Sequence, residues 1–376
     1  MLQPVQPAHR TSAWPLSMAT ICVVVYASLY PFTDWRNQGI SPLTFLDAPL
    51  PRYWTGFDLG INLLGYAPVG FLLALAMLRS GRHRAAVTVA TLAAALLSLC
   101  MEALQSYLPL RIPSNLDFAL NSAGAWLGAC AAWVLERAGV MDWWSRLRAR
   151  WFVPDARGAL VLLALWPVAL LFPAAVPFGL GQVLERLETS ITEALSDTPF
   201  LAWMPLRDIE LQPLVPGAEL ICVALGGLIP CLLGYGVIRS KGKRAAFALA
   251  MLSAGLVFTG LSAALSYGPQ HAWAWLDAPV QAGVAGAFVL AVLTLPLPRA
   301  AATALALLAL AVHLALLNQA PASPYFAQTL QVWEQGRFIR FHGLAQWLGW
   351  LWPFAALLYA LVRLSSREGG PRSTQT

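Results

Sequence analysis

Charge is scarce in this chain. Of its 376 residues only 11% are Asp, Glu, Lys or Arg, where an average soluble domain has roughly 25%. So little charge cannot clothe a water-soluble globule of this size, and the high apolar content excludes intrinsic disorder. Cysteine is scarce too. The five present lie in apolar runs, so they read as packed thiols and exclude a secreted disulfide scaffold. The signatures of soluble chemistry are also missing: no His-x-x-x-His, no Cys-x-x-Cys, no Gly-rich phosphate loop ending in Lys, and no recognisable nucleophile–base pair. No metal, cofactor or ATP hydrolysis is expected, and an enzyme is the less favoured reading.

What fills the chain is hydrophobic sequence, 58% of it, gathered into long runs. A bilayer core about 30 Å thick is crossed by roughly 20 helical residues. Ten runs of that kind are predicted, near Ala13–Phe32, Phe57–Leu78, Ala85–Leu108, Leu116–Leu135, Ala159–Phe178, Ala218–Ile238, Ala245–Ser266, Ala278–Leu297, Ala300–Leu317 and Leu344–Leu364. Period-two alternation is absent, which argues against a β-barrel. The fold class is therefore all-α, a polytopic helical membrane protein. Its first run reads as an anchor, being too long for a signal peptide and lacking a small-residue cleavage site.

The few charges sort by side. With the N-terminus inside, inner segments hold 17 of the 24 basic residues and only 4 of the 18 acidic ones. That bias follows the positive-inside rule and puts both termini in the cytoplasm. The net charge of +6 is then a topology signal, and nucleic-acid binding is not expected. Two outer segments exceed simple turns. Within Gly181–Asp197, Leu184, Leu187, Ile191 and Leu195 recur at helical spacing opposite Glu185, Glu188 and Glu193, which predicts a short interfacial helix. Gly39–Trp54, with three prolines, reads as an irregular loop. Plain solvated connectors are the alternative for both.

A faint internal repeat is visible at a shift of 160 residues. It aligns Arg79–Ala125 with Arg239–Ala285 without a gap and pairs Arg79 with Arg239, Arg84 with Arg244, Tyr107 with Tyr267, Pro109 with Pro269 and Asp117 with Asp277. The shift spans an even number of crossings, so the copies would run parallel. The expected division is a four-span domain over 1–152 and a six-span domain over 153–376, the second a diverged partial copy of the first. The polar positions are not carried over: Glu102 faces Ser262, Gln105 faces Leu265 and Arg111 faces His271.

Ionisable groups inside spans are costly, about 2.5 kcal/mol or more at the helix centre, and mark candidate sites. Span two carries Asp58 and Asn62 at i,i+4, span three Glu102 and Gln105 at i,i+3, and span four Asp117 and Asn121 at i,i+4, so each pair lies on one face. All six fall near the outer boundary, and Arg111 lies in the loop between spans three and four. Helix capping and snorkelling would explain Asp58 or Asp117 alone. Glu102 lies deeper and calls for a partner, with Arg111 the nearest cation on its side. A second aromatic and basic patch carries Arg337, Arg340 and His342, explained by interfacial anchoring or by an anionic headgroup.

The stretches FDLGINLLGYAPVGFLL (Phe57–Leu73) and SLCMEALQSYLPLRIPSNLDFALNSAGAWLGA (Ser98–Ala129) resemble the VanZ-like family of bacterial membrane proteins. Asp58, Asn62, Pro68 and Gly70, then Glu102 and Gln105, then Arg111, Asp117, Asn121, Gly124 and Gly128 stand in the family's order. The resemblance covers roughly residues 10–140. It implies a protein of the bacterial cell envelope, in the inner membrane, because the family's namesake is an accessory factor in resistance to glycopeptide antibiotics, particularly teicoplanin. It implies no settled activity. Gly124-x-x-x-Gly128 would let a helix approach closely, and Pro68 would bend span two.

The leading expectation is a ligand site for a lipid-linked or anionic envelope precursor, with membrane lipids as the other partner. Arg111 would pair with the anion, Glu102 and Asp117 would orient it or act as acid and base, and the amides would add hydrogen bonds. A proton-coupled carrier with Glu102 cycling, or a non-catalytic scaffold for envelope enzymes, stay open beside it.

Overall fold

The computed structural model describes residues 13–29, 32, 34–51, 56–109, 111–172, 174–203, 211–321 and 339–368, apart from the side chains of 57, 58, 202 and 339–344. Among them are twelve α-helices and no strand. In chain order these are α1 (Ala13–Leu29), α2 (Gly56–Arg79), α3 (Ala86–Gln105), α4 (Asn115–Arg137), α5 (Val140–Trp151), α6 (Arg157–Ala169), α7 (Leu184–Leu195), α8 (Pro216–Tyr235), α9 (Lys241–Tyr267), α10 (Ala278–Leu293), α11 (Arg299–Leu317) and α12 (Ile339–Glu368). Seven of them, α2, α3, α4, α8, α9, α11 and α12, are long and apolar enough to cross a membrane. Three shorter apolar helices, α1, α6 and α10, stand at the remaining expected places. The chain is a polytopic helical membrane protein.

It divides into two compact units, Met1–Leu147 and Arg148–Thr376. In the first, α2 and α4 make the most extensive helix pair, and α3 packs against both. Their closeness has a covalent cause. Gly124 and Gly128 of α4 lie directly on the backbone carbonyls of Leu63 and Ala67 of α2, and Gly70 of α2 lies on the carbonyl of Ala125. A Cβ at any of the three would occupy the place of a backbone atom. Pro68 does not break α2, which runs on to Arg79.

The second unit is built around α8, whose residues from Cys222 to Tyr235 are almost all buried, with α10 and α11 packed most closely along it. Trp166, Ile229, Leu232, Leu233, Leu310 and Leu317 lie in one continuous apolar core there. The interior of the first unit is instead broken into small apolar clusters.

One expected span is corrected. The run Ala159–Phe178 is helical only as α6, which ends at Ala169, and the chain continues in turns. The sequence beyond α6 carries Pro173 and Pro177, each of which lacks the amide that a continuing helix requires and disfavours helical backbone at the residue before it. The turns are nonetheless buried: Val176, Phe178 and Leu180 are each under 5% exposed. Irregular backbone at membrane depth must have its polar groups met by protein, and here it does. Ser262 Oγ donates to the Leu171 carbonyl at 2.9 Å, the Gly181 amide donates to the Gly349 carbonyl at 2.9 Å, and Asn318 Oδ1 accepts the amides of Val183 and Leu184 at 3.1 Å each. Phe178, at φ 60, fits against Gly226 and Gly255, where a larger residue would collide with it. The short helix expected within Gly181–Asp197 is present as α7.

Candidate functional site

The site is assembled at the end of the first unit where α1 and α3 finish and α2 and α4 begin. The turn between α3 and α4 brings the Ser114 amide to Glu102 Oε2, 2.9 Å away. Glu102 is 4% exposed, so this carboxylate is buried with a backbone donor in place. Ser114 is also the N-cap of α4, its Oγ accepting the Asp117 amide at 3.3 Å. Asp117 Oδ1 accepts from Asn62 Nδ2 at 2.7 Å, which ties α4 to α2. One chain of hydrogen-bonded groups thus runs from α3 through the turn and α4 to α2. The first turn of α4 also offers Asp117 its positive dipole end, favourable by about 0.3–1 kcal/mol.

One helical turn further in lies a second tier. Tyr66 is four residues from Asn62 on α2, Ser98 four from Glu102 on α3, and Asn121 four from Asp117 on α4. All three are buried, at 5%, 0% and 5% exposure. Asn121 Nδ2 donates to Ser98 Oγ at 2.9 Å, and Tyr66 lies beside Ser98 and within electrostatic range of Glu102. Asn121 Oδ1 meets no donor among the described residues. Turning the amide over would leave its nitrogen in that position instead, so one end of the group stays available.

Of the expected residues, Asn62, Glu102, Asp117 and Asn121 are brought together here. Arg111 stands half-buried in the adjoining turn, its amide donating to the Leu108 carbonyl at 2.9 Å. Gln105 turns elsewhere, its Nε2 donating to the Ser28 carbonyl at 2.9 Å and stapling α3 to the end of α1. Asp58 belongs to the first turn of α2, but its side chain lies outside the described residues. So do Arg337 and the side chains of Arg340 and His342. Ser98, one turn before Glu102 on α3, accepts instead from Asn121.

Two participants went unread in the sequence. Ser114 carried a signal in Ser114-Asn-Leu-Asp117, the Ser-x-x-acid pattern of a helix start. Tyr66 carried a weaker one, lying on the same face of α2 as Asn62. The chemistry of the assembled site is that of carboxylates, amides and hydroxyls facing hydrogen-bond donors, with Arg111 in the adjoining turn.

Neither the curated proteins nor the solved structures contain a match to this chain. The VanZ/LLP1 family model matches residues 5–136, a stretch that takes in α1, α2, α3 and all but the last residue of α4. The two tiers lie entirely inside that match. Residues 5–136 therefore form a VanZ-like domain within this polytopic helical membrane protein.

Proposed function

We propose that the two-tiered site binds a lipid-linked or anionic envelope ligand at the outer leaflet of the bacterial inner membrane, in a chain whose termini are both cytoplasmic. Arg111 pairs with the anionic group, a role its charge and bidentate geometry suit. The carboxylates of Glu102 and Asp117 and the amides of Asn62 and Asn121 receive the ligand's hydroxyls or amides. The observation that carries this reading is the stacking of two polar triads, one turn apart, from three apolar helices, with Glu102 4% exposed and Asn121 offering a buried, unused amide end. Desolvating that many polar groups is costly unless each is met by a partner.

The deciding experiment compares Glu102→Gln and Arg111→Ala with the parent chain at matched membrane abundance. The reading expects both variants to reach the membrane and lose the envelope phenotype; normal phenotypes in both sink it. The inward tier of hydroxyls beneath a buried carboxylate also favours a proton-coupled carrier in which Glu102 cycles. That reading requires substrate flux in proteoliposomes driven by an imposed pH gradient and abolished in Glu102→Gln.

A further inference from the structure

The amphipathic helix α5 stands apart from the site. It begins at Val140, with two residues between it and Arg137, where the span α4 ends, so it starts at the membrane boundary. None of its residues is buried, and Trp143 and Trp144 are 55% and 51% exposed. At 3.6 residues per turn, Val140, Trp143, Trp144, Leu147 and Trp151 form one apolar face. Arg148 borders that face on one side and Arg150 on the other, with Arg146 beyond Arg150. Asp142 and Ser145 lie on the opposite face. Asp142 is held in place: Arg79, the last residue of α2, reaches it at 3.1 Å and Glu136 of α4 at 3.1 Å. The polar side of α5 is thus fastened to the ends of α2 and α4, and at its other end the Lys243 ammonium lies over the Trp151 ring at 5.8 Å, which leaves Trp143 and Trp144 turned away from both anchors.

We infer that α5 lies in the plane of the membrane surface and binds anionic phospholipid headgroups, with its tryptophan face in the acyl boundary and Arg146, Arg148 and Arg150 on the phosphates. The occupant follows from three features. A helix two residues from a span end cannot leave the interface. Arginines bordering an apolar face extend their aliphatic stems along it and raise their guanidinium groups to headgroup level. Tryptophan prefers that same depth. A zwitterionic bilayer satisfies the aromatic face and offers the three guanidinium groups phosphates balanced by cationic headgroups. An anionic one adds the attraction of its net surface charge for each of them.

The test is amide hydrogen exchange of the full chain in nanodiscs of phosphatidylcholine alone and of phosphatidylcholine with phosphatidylglycerol. The amides of α5 are expected to exchange at least about tenfold more slowly in the anionic discs, given the attraction of each basic residue to an anionic surface. High salt should remove that difference. The triple variant Arg146→Gln, Arg148→Gln, Arg150→Gln should lose the dependence on phosphatidylglycerol, and the triple Arg→Lys variant should keep it. Unchanged exchange in α2 and α4 verifies that each variant is folded. Equal exchange of α5 in both discs overturns the inference, as does lipid dependence that survives in the Gln variant. A helix unprotected in either disc overturns it as well and marks the face as one for a protein partner.

Discussion

The carboxylate of Glu102 is buried at 4% exposure and takes its hydrogen bond from a backbone amide, that of Ser114, which no substitution at residue 114 other than proline removes. Replacing Glu102 therefore tests the carboxylate itself. Glu102→Leu deprives the Ser114 amide of its acceptor and is expected to cost about 1–3 kcal/mol. Glu102→Gln keeps an acceptor oxygen and should cost less. Thermal unfolding in detergent separates the two: a lower midpoint for Leu than for Gln is expected, and equal midpoints would show that the bond contributes nothing. The arrangement also explains which parts of the site were legible beforehand. Glu102, Asp117 and Asn62 could be picked out because charged and amide groups are conspicuous in apolar runs. Gln105 was grouped with them by spacing alone, yet its face of α3 also borders α1, and the Ser28 carbonyl took it.

Helices in a membrane gain little from burying apolar surface against one another, so close packing has to supply the association. The α2–α4 pair shows this directly, since Gly124, Gly128 and Gly70 each rest on a backbone carbonyl of the other helix. Gly128→Ala forces those backbones apart. An overpacking cost of about 1–3 kcal/mol is expected. The readout is membrane abundance together with the unfolding midpoint, and a variant as stable as the parent would contradict the packing described. The Gly-x-x-x-Gly spacing announced this seam, because small residues at i,i+4 share one face. The loss of helix after Ala169 was not announced so clearly. Hydropathy continues through Phe178 although Pro173 and Pro177 lie within the run, and the buried turns survive because Ser262, Gly349 and Asn318 supply partners from elsewhere in the sequence. In α7 the Arg186 guanidinium lies over the Trp350 ring at 4.9 Å, and burial there lowers its pKa from the ordinary arginine value.

At the scale of the molecule, the internal organisation of the two units can be compared through the 160-residue shift. Shifted, α2 falls on α8, α3 within α9, and α4 over α10, and the pairs α2–α4 and α8–α10 are the most extensive of their units. Val223, the counterpart of Leu63, meets Gly283, one residue from the counterpart of Gly124. Where Gly128 meets Ala67 in the first unit, Gly227, the counterpart of Ala67, meets Ala287, one residue from the counterpart of Gly128, so the glycine has changed sides. The third helix bonds the end of the first in both: Gln105 to the Ser28 carbonyl in α1's last turn, Ser262 to the Leu171 carbonyl just past α6. We propose on these grounds that the second unit is a diverged copy of the first. Gly227→Ala should then destabilise the chain, and Gly227→Ala with Ala287→Gly should recover it by restoring the first unit's arrangement; absence of rescue in the unfolding midpoint would break the equivalence. The orientation is checked separately. A reporter placed after Leu108 is expected to label from outside, and cytoplasmic labelling would reverse the sidedness.

Sequence by itself determined the class of the protein, the ten apolar helices, the charge bias between their ends and the glycine seam of α2 and α4. Each of these depends on composition or on residues within a turn or two of one another, and such information is local. Tertiary structure decided who meets whom. It set Asn121 against Ser98 and gave Glu102 the Ser114 amide. It drew Gln105 to α1 and allowed the chain to leave the helix after Ala169 without exposing its backbone. Those outcomes rest on which helices become neighbours, and in a nonpolar solvent a polar group is held by the nearest partner the packing offers.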